Sequence, residues 1–503
     1  AGNADQSQGE VYGMHFVYSG NFIGQVELGQ FDTVRVGMGI HPENFCWKLE
    51  KGESFQTPEV VLVYSDTGYD GMTHQFHELY RNHLIRSEYK DKKRPILINN
   101  WEATYFDFNE EKILKIAEQA QKLGIEMLVL DDGWFANKYP RKDDHAGLGD
   151  WEVTHDKLPG GIPALVKAAK DADVKFGIWI EPEMVNPKSE LFEKHPDWAI
   201  QLPNRETYYY RNQLVLDLSN PKVQDYVYRV VENIMQENPD VAFFKWDCNS
   251  PITNIYSPYL KNKQGQLYID HVRGIYNVLK RVKANYPNVP MMLCSGGGAR
   301  CDYEALKYFT EFWCSDNTDP VERIYIQWGF SQFFPAKAMD AHVTSWNKVT
   351  SIKFRTDVAS MCKLGFDIGL KELTADELTY CQTAVANWKR LQNAIMDGDQ
   401  YRLVSPYEEN HMALNYVSKD ANKVVLFAYD IHPRFQEKLM AVKLQGLDPD
   451  KQYKVEEINL MPAATSRLEA NGKIYSGDYL MKVGLNVFGF IHTQSHVVEL
   501  TAQ

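Results

Sequence analysis

The sequence predicts an α/β protein: a (β/α)₈ TIM barrel with a C-terminal antiparallel β-sandwich and, ahead of the barrel, the remnant of an N-terminal β-domain. Three observations predict it. Between residues 91 and 400 short apolar segments alternate with amphipathic helical ones, and eight such units can be counted. The first six apolar segments end on polar or tryptophan side chains, where barrels of this kind carry their chemistry. On either side, in residues 1–90 and 401–503, apolar residues recur with the two-residue period of antiparallel strands. Open doubly wound sheets rarely need eight units, and 503 residues suit a barrel flanked by smaller β-modules.

The N-terminal region holds candidate strands at Gln25–Leu28, Thr33–Met38 and Val60–Tyr64, then a helical stretch, Met72–Arg86, and a charged linker, Ser87–Arg94. PILINNW (Pro95–Trp101) is the first barrel strand, followed by a helix at Asn109–Gly124 that glycine ends. The second strand is Glu126–Trp134 with a helix at Pro163–Ala172. The third is Lys175–Glu183, with its helix at Lys222–Gln236 after a long insertion. The fourth is Val241–Asp247 with Tyr268–Asn285 behind it, and the fifth Pro290–Gly298 with a short helix at Glu304–Phe309. The sixth is Glu311–Asp316 with Val321–Phe333. The seventh lies near Ala341–Thr344 with a helix at Lys353–Leu364, and the eighth is Phe366–Leu370 before a helix at Ala375–Met396. After Gln400 the segments HMALNYVS, KVVLFAYDI, KLMAVKL, YKVEEIN, YLMKVGL and HVVELTA read as strands of the sandwich.

Composition narrows the class of partner. A net charge of −13 argues against nucleic acid or an anionic membrane surface and favours a neutral small-molecule substrate. The 11 Trp, 29 Tyr and 24 Phe suit sugar platforms, although large cores and oligomer interfaces use the same residues. Seven cysteines (Cys46, Cys248, Cys294, Cys301, Cys314, Cys362, Cys381) cannot all pair and form no CxxC, which points to a reducing, cytoplasmic setting. The polar start, AGNADQSQGE, shows no secretory signal, though residue 1 is not Met and need not be the natural start. No run of 18 apolar residues suggests a membrane span.

The strand ends carry the candidate chemistry. Hydrolysing a glycoside takes two carboxyl groups, one attacking or activating water and one protonating the leaving oxygen. Asp247 on strand four and Asp316 on strand six could flank one bond across the barrel mouth. Lys245 shares the face of Asp247, two residues away, as a cation that would keep it ionised. In SDNTDP, spacing alone cannot choose between Asp316 and Asp319. Asp316 ends the apolar stretch, whereas Asp319 precedes Pro320 and a helix, an N-cap position. Adjacent Asp131 and Asp132 suit two sugar hydroxyls, or else one helix cap and one salt bridge; as sugar ligands they would be replaceable without effect on folding. CSGGG (294–298) lacks a Walker ending and GxGxxG spacing, so its glycines are read as letting backbone approach a ligand. The histidines form no HxH or HExxH group, so neither metal nor other cofactor is expected.

At these motifs the sequence resembles the bacterial α-galactosidases of glycoside hydrolase family 36. The matching segments are DDGWF (131–135), GDWEV (149–153), GIWIEPEMV (177–185), FKWDCN (244–249), CSGGGARCD (294–302) and WCSDNTDPVERI (313–324). The resemblance implies a retaining enzyme that cleaves terminal α-galactosyl residues from sugars such as melibiose and raffinose. Asp247 would be the nucleophile and Asp316 the acid/base. Asp131 and Asp132 would hold the axial O4 and O6 of galactose. Trp101 and Trp313 would line the sugar, Arg211, Lys245 and Asn249 would bond its hydroxyls, and Cys294 and Gly296 would crowd O2. Family members carry a large N-terminal β-supersandwich that helps build tetramers, and only its final portion is recognisable here. Ala299 stands where the family often has a fourth glycine. An α-N-acetylgalactosaminidase, a galactosyltransferase and an inactive sugar-binding protein are the alternatives; Cys294 argues against the first, which needs space at C2.

Overall fold

The computed structural model describes residues 2–503. Four strands precede the barrel as two antiparallel ribbons: β1 (Val11–Val17) pairs with β4 (Glu59–Ser65), and β2 (Phe22–Leu28) with β3 (Val34–Ile40). β1 was not anticipated from the sequence. The helix that follows, α1, spans Gly68–Leu79 and widens into a π-turn at Tyr80–Leu84.

The barrel begins with β5 (Leu97–Asn99), α2 (Trp101–Thr104), α3 (Glu110–Lys122), β6 (Met127–Leu130), α4 (Gly161–Asp171) and β7 (Lys175–Ile180). The long insertion then holds β8 (Met184–Val185), α5 (Glu190–Lys194) and β9 (Leu214–Val215), with β8 and β9 paired. The barrel resumes with α6 (Pro221–Glu237), β10 (Val241–Trp246), α7 (Leu267–Asn285), β11 (Met291–Leu293) and β12 (Glu311–Trp313). It finishes with α8 (Pro320–Phe330), β13 (Met339–Thr344), α9 (Ile352–Ala359), β14 (Lys363–Asp367) and α10 (Ala375–Asp397). Eight parallel strands close in the order β5-β6-β7-β10-β11-β12-β13-β14. Local signals set the helices: Asn109 caps α3 by accepting from the Lys112 N–H, and Gly124 ends it at φ +76°. Thr374 and Glu377 form a reciprocal capping box on α10. Leu97, Met127, Val129, Phe243, Met292, Cys294 and Trp313 pack together inside the barrel, so its interior is filled and the usable space lies at the strands' C-terminal mouth.

Beyond α10 a six-stranded antiparallel sheet follows: β15 (Asp399–Val404), β16 (His411–Val417), β17 (Lys423–Asp430), β18 (Gln452–Ile458), β19 (Ile474–Ser476) and β20 (Gln494–Ala502), in the order β15-β16-β17-β20-β18-β19. One face, including Leu414, Tyr416, Phe427 and Tyr429, joins the barrel core; the other, including Val424, Leu426 and Val498, packs on Val442, Leu444, Leu480 and Leu485. The opposing layer is not strand. KLMAVKL is irregular, and YLMKVGL falls largely in a short helix, α11 (Gly477–Lys482), because Ser476 caps it by accepting from the Tyr479 N–H.

The eighth barrel strand is also corrected. It starts at Lys363, inside the helix expected over 353–364, and α9 stops at Ala359. A lysine reads as a helix surface, yet Lys363 is wholly buried between Glu311 (2.6 Å) and Asp340 (3.0 Å). The shift makes Asp367 the last residue of the strand rather than its second.

Candidate active site

A cavity of about 300 Å³ opens at the C-terminal ends of the strands. Its lining includes Trp101, Asp131, Asp132, Arg211, Lys245, Asp247, Asn249, Trp313 and Asp316, so nine of the sequence-derived site residues converge there. Cys294 is buried in the barrel core beneath it, and the Gly296 N–H bonds Asn249 Oδ1 at 2.9 Å on the same side.

Asp131 directly follows β6, its backbone N–H donating to Asn100 Oδ1 at 2.7 Å. Its Oδ2 accepts from Lys245 Nζ at 2.7 Å and from Asn99 Nδ2 at 2.6 Å. Lys245 is therefore partnered by Asp131 rather than by Asp247, which sits on its own strand. Burial disfavours the Lys245 charge, but Asp131 and Asp247 outweigh it and raise its pKa. Asp132 differs from expectation in another way. Its carboxylate is gripped by Arg141, from Nη2 at 2.8 Å and from Nε at 3.0 and 3.3 Å, with both side chains buried. Burial still raises its pKa, against the pull of Arg141. Neither aspartate caps a helix; both are in ion pairs, so replacing Asp132 must also disturb folding.

Asp247 follows β10. Three N–H groups converge on it: Trp179 Nε1 on Oδ2 at 3.2 Å, the Cys248 amide on Oδ1 at 2.8 Å and, more distantly, the Gly296 amide on Oδ1 at 3.4 Å. Gly296 adopts φ +54°, a conformation that brings its amide to face Asp247 and Asn249. Beside Asp247 lies Glu181, whose Oε1 accepts from the Asn249 amide at 2.6 Å and from Gln213 Nε2 at 3.0 Å. Burial, reinforced by Asp247, pushes the Glu181 carboxyl up to about 8.

Asp316 lies just past β12, facing the cavity. Trp313 Nε1 donates to its Oδ1 at 3.1 Å, and the Trp313 ring packs on His342 at 4.4 Å between centroids. Desolvation first, and then Asp247, raise its pKa, so it holds its proton to higher pH than an ordinary aspartate. Asp319, three residues on, caps α8: its Oδ1 accepts from the Val321 and Glu322 amides at 2.8 and 3.3 Å. The two aspartates thus have separate environments, one facing the cavity and one closing a helix.

The cavity also takes in residues that the sequence did not assign to the site: Glu102, Tyr105, Trp179, Thr318, His342, Trp346 and Asp367. Trp179 lies within the third expected strand, Lys175–Glu183, and Glu102 directly after the first, neither with a role assigned. Asp367 was hidden by the misplaced eighth strand, and Trp346 and Tyr105 lie on loops where no periodicity marks a position. Among the described residues, the cluster with metal-ligand spacing is Asp143, Asp144 and His145, outside the cavity lining.

A closed barrel whose mouth gathers paired carboxyls, tryptophans and a buried lysine is the arrangement that glycoside chemistry in barrels uses. The chain belongs to glycosyl hydrolase family 36. The melibiase family model matches residues 54–398, and those of the family 36 N-terminal and C-terminal domains match 1–50 and 411–500. It is 44% identical over 491 residues to alpha-galactosidase AgaA of Geobacillus stearothermophilus, covering 96% of this chain and 65% of that protein. It is 38% identical to alpha-galactosidase 1 of Pediococcus pentosaceus, covering 95% of this chain and 63% of that protein. The crystal structure of the Geobacillus AgaA superposes with a TM-score of 0.94 at 42% identity, over all of this chain and 68% of that one; a variant of the same enzyme has been solved in complex with raffinose. The chain spans just under two thirds of the length of these curated relatives.

Proposed function

We propose that the protein is a retaining α-galactosidase that hydrolyses terminal non-reducing α-D-galactosyl residues of oligosaccharides such as melibiose and raffinose. The observation that carries the reading is the contrast between two carboxyls at one cavity. Asp247 is oriented by three N–H groups, whereas Asp316 has one such bond and a raised pKa. That contrast is the division a double displacement needs. Asp247 attacks C1 and forms a galactosyl ester while Asp316 gives its proton to the departing glycosidic oxygen. Asp316, now a carboxylate, takes a proton from water, whose oxygen attacks C1 and releases Asp247.

Asp131 and Asp132 would hold O4 and O6, with Lys245, Arg211 and Asn249 bonding other hydroxyls and Trp101 and Trp313 lining the ring. By the family resemblance Cys294 and Gly296 would close the space at C2 and favour galactose over N-acetylgalactosamine. The names of the relatives and the raffinose complex support the same substrate class. The reading includes a tetramer, which rests on the family resemblance; the exposed apolar residues Phe22, Val26, Leu28 and Val34 on the β2–β3 ribbon are consistent with a further contact surface there. It also includes a cytoplasmic location, supported by the free state of all seven cysteines. A chromogenic aryl α-galactoside assayed beside its α-N-acetylgalactosaminide tests the activity. Hydrolysis of the galactoside alone is expected, and preference for the N-acetyl substrate would overturn the reading.

A further inference from the structure

We propose that Glu102 is a positioning residue that holds the loop of Asp316 in place through the hydroxyl of Thr318; the proposal rests on Asp316 being the acid/base. Asp316 has little to fix it directly. Its carboxyl takes one hydrogen bond, from Trp313, and otherwise faces the cavity, so its place depends on the backbone of residues 315–319.

Two residues beyond it, Thr318 is buried and its Oγ1 donates to Glu102 Oε1 at 2.5 Å. Glu102 sits in α2, directly after β5, whereas Thr318 follows β12. In the closed barrel β13 and β14 lie between these two strands, so the bond crosses the mouth over two intervening units and is not a product of neighbouring βα packing. Glu102 is anchored in turn: its backbone N–H donates to Asp367 Oδ1 at the end of β14, at 2.7 Å. The Thr318 carbonyl accepts from Thr344 Oγ1 of β13 at 3.2 Å, which holds the same residue from a second side. Strand β13 directly, and β5 and β14 through Glu102, therefore hold Thr318, one of the two residues between the acid and the helix cap Asp319.

Keeping a carboxyl here is costly. Burial raises the Glu102 pKa, with the Thr318 hydroxyl and then the Ser345 backbone N–H working against it. A group that only filled space would do so better without the charge. Because misplacing a catalytic group by about 1 Å can cost on the order of 10²-fold in rate, a fixed Thr318 is the return.

The test compares Thr318→Val, Thr318→Ser, Glu102→Ala and Glu102→Gln with Asp316→Ala on two substrates, raffinose and 2,4-dinitrophenyl α-galactoside. The parameter is kcat/KM, which reports the step in which the leaving group departs. Thr318→Val and Glu102→Ala are expected to lose roughly 10- to 100-fold more on raffinose than on the dinitrophenyl substrate, whose leaving group needs no proton. Thr318→Ser keeps the donor and Glu102→Gln keeps an acceptor oxygen, so both should return to within about 3-fold of the parent on raffinose. The double variant Glu102→Ala/Thr318→Val should be no slower than its worse single parent, since one bond joins the two. Equal losses on both substrates, or a fall in unfolding temperature with raffinose kinetics unchanged, would overturn the proposal. Asp316→Ala separates the two levels. If it shows no leaving-group dependence, the acid/base assignment fails and the proposal with it; if it does and Thr318→Val does not, only the positioning role fails.

Discussion

Replacing Asp132 by Asn should unfold the barrel more easily as well as slow it. The side chains of Asp132 and Arg141 are 8% and 2% exposed, and the pair is joined by contacts of 2.8, 3.0 and 3.3 Å. Asn leaves the guanidinium buried and uncompensated, with its NH₂ group able to turn toward a cation. Arg141 keeps the Ala146 carbonyl at 3.1 Å and Asn186 Oδ1 at 3.2 Å from Nη1, and at best a neutral amide oxygen at position 132. Breaking one side of a buried pair costs about 3–5 kcal/mol. With a urea m-value of about 3 kcal/mol/M or somewhat more for a barrel of this size, the midpoint should fall by roughly 1 M. Tryptophan fluorescence in urea reads it. The double variant Asp132→Asn/Arg141→Met should recover much of the loss, because the stranded charge is gone. A single-variant midpoint within about 0.2 M of the parent would refute the argument, since it corresponds to well under 1 kcal/mol.

Other outcomes follow from the same geometry. Asp316→Ala should be nearly inactive on raffinose but retain much activity on an activated aryl galactoside, whereas Asp319→Ala should mainly lose stability, about 0.5–2 kcal/mol for a helix cap; steady-state kinetics and urea melts of both variants decide it. With azide, Asp247→Gly should yield β-galactosyl azide and Asp316→Ala α-galactosyl azide, distinguishable by proton NMR; the same anomer from both would contradict a double displacement. Because burial raises the Asp316 pKa, its protonated form persists to higher pH, and the decline of kcat/KM on raffinose should be displaced upward from where an ordinary aspartate would lose its proton. Glu181, raised to about 8, favours folding while protonated, and that contribution is complete below its ordinary value of 4.5 and lost as pH rises through about 8. Glu181→Gln should therefore flatten the fall in unfolding temperature across that window, as scanning calorimetry at several pH values would show.

Sequence alone determined what is written locally. The alternation of buried strands and amphipathic helices specifies eight βα units, and Asn109, Asp319–Pro320 and Thr374–Glu377 mark helix starts because caps act within three residues. Strand C-termini carrying Asp131, Asp247 and Asp316 were legible for the same reason: a strand end and its side chain are neighbours in the chain. Partnership was not legible. Lys245 shares a strand face with Asp247, yet bonds Asp131 from β6, and Asp132 is committed to an arginine nine residues away in a loop. Asp367 entered the cavity only because buried Lys363 belongs to a strand, which its charge disguised. Glu102 and Thr318 lie 216 residues apart and meet only when the barrel closes. Periodicity and capping are set by the nearest few residues, whereas the partner of a buried charge is set by which strands the closed barrel places across its mouth.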